Sequence, residues 1–265
     1  MTTLNKATAA ATAAIILSAS PVLAATQVST GVHASSTAVK AGVAAKIDAR
    51  LQGVKEKADA EIDRRITALN EMTAKVQAMA KVSGDTKGSV AALVSSEIAN
   101  LTALKSKIEA ETDLTALKTD VKSITGSYRI FALVIPQGRV EVAADKIVDV
   151  ASSLMALSGK LQARIETAKS AGRDVADVSA KLADLNTKVA DANTQASAAA
   201  SAVATLAPDN GNATKAEANA ETLKESRAKI KIALKDIDDA RSDAKSIVKT
   251  LKGWGDATST PAVSH

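Results

Sequence analysis

The chain has 265 residues and a mass of 27.0 kDa; 46% of its residues are hydrophobic, but only 1% are aromatic. Its net charge is +5, and it contains no cysteine, which excludes disulfides, thiolate nucleophiles and cysteine-bound metals. Four prolines and twelve glycines are too few for a loop-rich β-protein, so the composition favours long helices.

Histidine is almost as scarce as cysteine. His33 and His265 both lie in segments predicted to flank the folded body, which argues against a catalytic triad or a histidine-rich metal site. The basic residues are not interleaved with aromatic side chains, as they are in many proteins that bind nucleic acids. We therefore expect no enzymatic activity, no cofactor, no metal site and no nucleic-acid partner.

Residues 1–24 have the three parts of a secretory signal peptide. Lys6 precedes an apolar stretch, Ala7–Leu17, and Val22-Leu23-Ala24 supplies small residues at a cleavage position. The alternative interpretation is a mobile, alanine-rich helix. A signal peptide predicts an exported protein that is periplasmic or extracellular, or associated with the cell surface.

Residues 25–35 show no periodicity and are expected to form a flexible arm. Beyond them, apolar residues recur every three or four positions, which is the spacing of a coiled-coil seam. This stripe predicts a helix from about Ser36 to Val82 and, after a turn at Ser83–Gly88, a second helix from about Ser89 to Ile135. Nearly equal lengths around a short turn predict a long antiparallel hairpin over residues 36–135.

Pro136-Gln137-Gly138 is expected to end the second helix. Three more apolar stripes occupy residues 139–252, separated by Ala171-Gly172 and by a turn at Pro208–Asn212. These three helices are expected to pack on the hairpin, and residues 253–265 are expected to form a disordered tail. The predicted fold is all-α, an elongated antiparallel bundle of four or five long, coiled-coil-like helices.

The densest apolar run after the signal peptide is Tyr128–Pro136. Its large side chains form a candidate core or contact patch: Tyr128, Ile130, Phe131, Leu133, Val134 and Ile135. On one continuous helix, Tyr128 and Phe131 would face the same way. Buried, the patch would anchor the core; exposed, it would contact a protein partner, a second copy or a membrane interface. Trp254, between two glycines, is either an exposed contact or a residue folded back on the helix end.

A resemblance rests on the same part of the chain. The stretch Tyr128–Val140, continuing through Ala143-Ala144-Asp145-Lys146-Ile147, resembles a segment of uncharacterised exported coiled-coil proteins of bacteria. The resemblance covers under a tenth of the chain and implies no activity.

The last predicted helix carries several acidic residues that could in principle bind a cation. Asp236, Asp239 and Asp243 share one helical face, but they alternate with basic residues, and calcium sites usually need a loop. A solvated, ion-paired face is therefore expected. The sequence favours a non-enzymatic exported helical protein that serves as a structural, spacer or interaction element of the bacterial cell envelope, through a protein partner or self-association. The alternative function is a membrane-surface or lipid-binding helical bundle.

Overall fold

In the computed structural model, residues 35–257 are described. Helices make up 88% of this part of the chain, which contains no strand, so the predicted all-α fold is confirmed. The predicted signal peptide, residues 25–34 of the predicted arm and residues 258–265 of the predicted tail lie outside the described residues, as do His33 and His265.

Within residues 35–257, six α-helices and one π-helical turn follow one another. Their bounds are α1 Ser35–Gln77, α2 Gly84–Ala110, α3 Leu114–Gly126, the π-turn Ile130–Val134, α4 Ile135–Ser170, α5 Ala176–Ala204 and α6 Ala213–Ala257. The chain divides into two units, Met1–Lys46 and Ile47–His265, with the boundary inside α1. In the first unit, the beginning of α1 carries Val39 and Val43 as exposed side chains. All packing described below belongs to the second unit.

Helices α1 and α2 run antiparallel. Lys55 Nζ donates to the carbonyl oxygen of Glu109 at 2.8 Å, and Lys105 Nζ lies 2.9 Å from Asp63 Oδ1. Residue numbers that rise along α1 therefore fall along the facing side of α2.

The turn between these helices lies earlier than the sequence predicted. Ser83 is the N-cap of α2, because its Oγ accepts from the backbone N–H of Thr86 at 3.2 Å. The N–H of Ser83 also donates to Asp145 Oδ2 of α4 at 2.8 Å. The turn therefore occupies residues 78–83, and the predicted turn residues 84–88 form the start of a helix.

The single helix predicted from Ser89 to Ile135 is wrong. Asp113 starts a separate helix, α3, because its carboxylate accepts from the N–H groups of Thr115 and Ala116 at 2.9 and 2.7 Å. A second break comes at Arg129, whose backbone is left-handed with φ 31° and ψ 41°. The chain resumes as the π-turn and passes directly into α4.

The break predicted at Pro136-Gln137-Gly138 is also wrong. Pro136 lies in the first turn of α4, directly after the π-turn, and the helix continues through it to Ser170. By contrast, the predicted stops at Gly172 and at Asn210-Gly211 are confirmed; these residues have positive φ values of 78°, 51° and 83° between α4, α5 and α6.

The second unit contains two apolar cores. The hairpin core is built by α1, α2, α3 and the π-turn, and the three-helix core by α4, α5 and α6. Helix α4 contributes to both, since Val142 belongs to the hairpin core and Val140 to the three-helix core. The start of α4 is therefore the place where the two cores meet.

Helix α6 is longer than predicted. It continues to Ala257, so residues 253–257 are helical rather than part of a tail. Trp254 is half-buried and packs against the three-helix core beside Ala168 and Leu251. This packing stabilises the helical turn that follows Gly253.

Candidate functional site

The structure divides the predicted patch between core and surface. Ile130, Leu133 and Val134 are buried, and Tyr128 and Ile135 are half-buried. Phe131, the only phenylalanine, is 41% exposed. The patch is therefore a core segment from which one large ring emerges.

Backbone geometry explains why Tyr128 and Phe131 do not share a helical face. Arg129 lies between them in the left-handed region, and the helical turns begin only at Ile130. Arg129 Nε also lies 2.5 Å from the fully buried Oδ2 of Asp209, in the connection between α5 and α6. The contact is ionic rather than a hydrogen bond, since Asp209 Oδ2 has no hydrogen-bond donor among the described residues and Arg129 Nε donates to the carbonyl oxygen of Gly126 at 3.4 Å.

Phe131 lies at one end of a cleft between α1 and α4. The cleft has a volume of about 500 Å³, and its apolar lining includes Met72, Met79, Ile135 and Val142. The guanidinium carbons of Arg64 and Arg65 lie 4.6 and 5.3 Å from the centre of the Phe131 ring, within the range of cation–π attraction.

A single carboxylate organises these two arginines. Glu61 accepts hydrogen bonds from Arg64, at 2.8 and 2.9 Å, and from Arg65. The hydrogen bond from Arg64, followed by Arg65, lowers the pKa of Glu61 to about 2 against the opposing effect of burial. Both guanidinium groups are therefore fixed beside the ring by an ionised partner.

The two walls of this cleft, α1 and α4, run parallel. Phe131 lies beside Arg65, and Gly138 lies beneath Met72, so residue numbers rise in the same direction on both walls. A Cβ at Gly138 would collide with the terminal methyl group of Met72. The glycine therefore leaves room for the Met72 side chain at the floor of the cleft.

A second cleft lies on the other side of α4, against α6. It has a volume of about 410 Å³ and is lined by Pro136, Arg139, Val140, Ala143, Arg227, Ile230, Lys231 and Leu234. Arg139 and Ala143 line both clefts, so the two lie side by side on either side of these α4 residues. Leu234 is 49% exposed and is the counterpart of Phe131 on this side. We call the two clefts together the contact surface.

The charges around the contact surface are almost all positive. Arg139, Lys146, Arg227 and Lys231 line it, and none of them makes a salt bridge with any residue in the described part of the chain. The acidic lining residue, Glu71, lies 3.4 Å from Lys75. The surface therefore combines an apolar floor with uncompensated positive charge.

Glu97 and Tyr128 are two ionisable residues whose pKa values are shifted by burial. Burial raises the pKa of Glu97, which is 4% exposed, and its Oε2 has no hydrogen-bond partner among the described residues. Burial also raises the pKa of the Tyr128 hydroxyl, with Glu97 adding to the effect. The Glu97 carboxyl is therefore almost fully removed from solvent.

The acidic face of α6 is ion-paired. Lys235 lies 2.5 Å from Asp239, Arg241 lies 3.2 Å from Asp238, and Lys188 of α5 lies 2.9 Å from Asp243. In residues 35–257, no three acidic or histidine side chains converge in a way that suits a metal ion.

Sequence reasoning missed most of the contact surface. It selected Phe131 and Ile135 but not Arg139, Lys231 or Leu234. Helical spacing alone carries no signal for these residues, because they become neighbours only when α1, α4 and α6 pack together. Trp254, the other predicted contact, is half-buried and lies outside this surface.

The chain matches no protein-family model, no curated protein and no solved structure at a significant level. Within the described residues, every helix is too short or too polar to span a lipid bilayer.

Proposed function

We propose that this protein is a non-enzymatic, exported helical protein that acts as an interaction element of the bacterial cell envelope, and that it binds through the contact surface. The observation that carries the proposal is a pair of neighbouring apolar clefts with an exposed Phe131 and four cations that have no ionic partner in the described part of the chain. Exposed apolar area of this kind usually marks a binding site. Export is proposed from the signal-like residues 1–24.

A membrane-surface function is the second candidate. Phe131 and Leu234 are exposed beside Arg139 and Lys231, and such a mixture also suits an anionic lipid surface. Flotation of the chain with vesicles that contain anionic lipid would support this candidate, whereas failure to float would reject it.

Site-specific photo-crosslinking in living cells tests the proposed function. A benzoylphenylalanine placed at Phe131 is expected to crosslink to an envelope component, while the same group at exposed Lys160 of α4 is not. Equal crosslinking at both positions would contradict the binding site.

The exported chain is expected to begin at Ala25, and its intact mass checks this. Export with Met1 retained would contradict the signal peptide.

A further inference from the structure

We infer that the occupant of the contact surface is an acidic amphipathic helix of a partner protein, an inference that rests on the proposed function and names the chemistry of its partner. The shape of the surface is the first argument. Between Phe131 and Lys146, the α4 wall of the first cleft extends about 22 Å at the rise of an α-helix. A groove between two parallel helices accepts a third helix, which places apolar anchors every three or four residues on its floor.

The floor offers separate places for such anchors. In the first cleft, Phe131 lies near one end and Met79 near the other. Across α4, Ile230 and exposed Leu234 are one helical turn apart on α6. A partner helix that lies in the first cleft with one apolar stripe would cover Phe131 and Met79, with exposed Leu234 beside it across α4, and would remove exposed apolar area from water.

Charge is the second argument, and it selects an acidic helix. Arg139, Lys146, Arg227 and Lys231 lie along the edges of both clefts without an ionic partner in residues 35–257. Carboxylates beside the apolar stripe of a partner would complement them, steer association and fix the register. A basic or neutral helix would leave the four charges uncompensated.

The chain's own remaining segments do not supply this charge. Residues 1–34 and 258–265 contain no aspartate or glutamate side chain. A lipid bilayer would supply negative charge, but it presents a broad interface rather than a rod that enters a groove. A separate helix with acidic flanks meets both the shape and the charge of the surface.

The test uses the full chain and two synthetic helical peptides of about 20 residues, long enough to form a helix in isolation. Both carry leucine at helical spacing; one has glutamate on either side of the stripe, and the other has lysine at the same positions. Affinities are measured by fluorescence anisotropy of labelled peptide. The glutamate peptide is expected to bind, more weakly as salt is raised, and the lysine peptide to bind at least about tenfold more weakly.

Charge-reversal variants make the test specific. Arg139→Glu with Lys231→Glu should weaken binding of the glutamate peptide about tenfold and strengthen binding of the lysine peptide. The matched control is Lys160→Glu with Lys169→Glu, which makes the same charge change on the far half of α4 and should leave both affinities unchanged. Because the reversed variant must gain affinity for one peptide, misfolding cannot imitate the expected result.

Several outcomes would overturn the inference. Equal affinity for the two peptides, or no binding of the glutamate peptide, would show that the occupant is not an acidic helix. Binding to anionic vesicles without binding to the peptide would assign the surface to lipid. A dimer that dissociates only in the Arg139→Glu, Lys231→Glu variant would assign it to a second copy. If crosslinking at Phe131 in cells succeeds while the peptide fails, the proposed function stands and the chemistry of the partner is wrong.

Discussion

Ile130 and Phe131 are adjacent and both apolar, but they differ in burial. Ile130 is fully buried in the hairpin core, whereas Phe131 is 41% exposed and held beside two arginines. Helical spacing places Ile130, Leu133 and Val134 on a different face from Phe131 and Ile135, and the structure has the first three buried and Phe131 exposed. The spacing does not account for Tyr128, because the left-handed Arg129 separates it from the helical run.

Truncating these two residues should have unequal effects on stability. Ile130→Ala is expected to lower the free energy of unfolding by about 2–5 kcal/mol, because it leaves a cavity in the core. Phe131→Ala should cost less, about 1–2 kcal/mol, since it loses cation–π contact and only part of the buried area of a ring. Urea unfolding of both variants measures the difference. An equal loss in both would show that the Phe131 ring is part of the core.

Two glutamates predict opposite dependences of stability on pH. Arg64 lowers the pKa of Glu61 to about 2, so the stabilisation from Glu61 is present at neutral pH and is lost as the pH falls from its unfolded value of 4.5 towards 2. Burial raises the pKa of Glu97, so its ionised form is a cost at neutral pH that disappears as the pH falls through the raised pKa towards 4.5.

Substitution separates these two effects. Glu61→Gln should be less stable than the native chain at neutral pH, with the difference shrinking in acid. Glu97→Met should be more stable at neutral pH, because it removes a buried charge and an unpartnered oxygen, and its advantage should shrink as the pH approaches about 4.5. Urea titrations at a series of pH values give both curves. A shift of the two variants in the same direction at neutral pH would contradict the assignment.

At the scale of elements, the sequence predicted helices better than their ends. Gly172 and the turn at Pro208–Asn212 end helices as predicted, because the positive φ values found there depend on the residue type at each position. The cap at Asp113 was readable in principle, since an aspartate before an apolar run is an N-cap signal. The π-turn could not be predicted from the sequence, because Arg129, which precedes it, contacts Asp209, a residue eighty positions away.

The Arg129–Asp209 pair predicts a large coupling energy. Arg129→Gly should destabilise the native chain, because it leaves the buried Asp209 carboxylate without its cation. In an Asp209→Asn background, the same change should be nearly neutral or stabilising, since glycine adopts the left-handed conformation without strain. A double-mutant cycle by urea unfolding should give a coupling of about 1–3 kcal/mol. Additive effects would show that the pair does not hold the turn.

At the scale of the whole second unit, stability depends on how α4 joins two cores. Leu133 and Val140 pack into the three-helix core, while Val134 and Val142 pack into the hairpin core. Neighbouring residues of one rigid segment therefore face different cores. The sequence predicted two groups of helices but could not show that they share this segment, because the predicted break at Pro136 separated them.

Sharing α4 predicts a single unfolding transition for the second unit. Leu101→Ala in the hairpin core and Leu185→Ala in the three-helix core each remove a fully buried side chain. Each should lower one common melting temperature, by about 2–4 °C for every kcal/mol lost. Calorimetry, with comparison of calorimetric and van't Hoff enthalpies, checks this. Two transitions in either variant would mean that the cores unfold independently.

Because each aromatic residue type occurs once, the three aromatic side chains can serve as site-specific spectroscopic labels. It has one phenylalanine, one tyrosine and one tryptophan. Phe131 lies in the contact surface, Tyr128 packs against the hairpin core, and Trp254 packs against the three-helix core. Fluorinated analogues of the three amino acids would therefore give three fluorine resonances, each from a known place, without a single mutation. A ligand that fills the contact surface should shift the Phe131 resonance while leaving that of Trp254 in place.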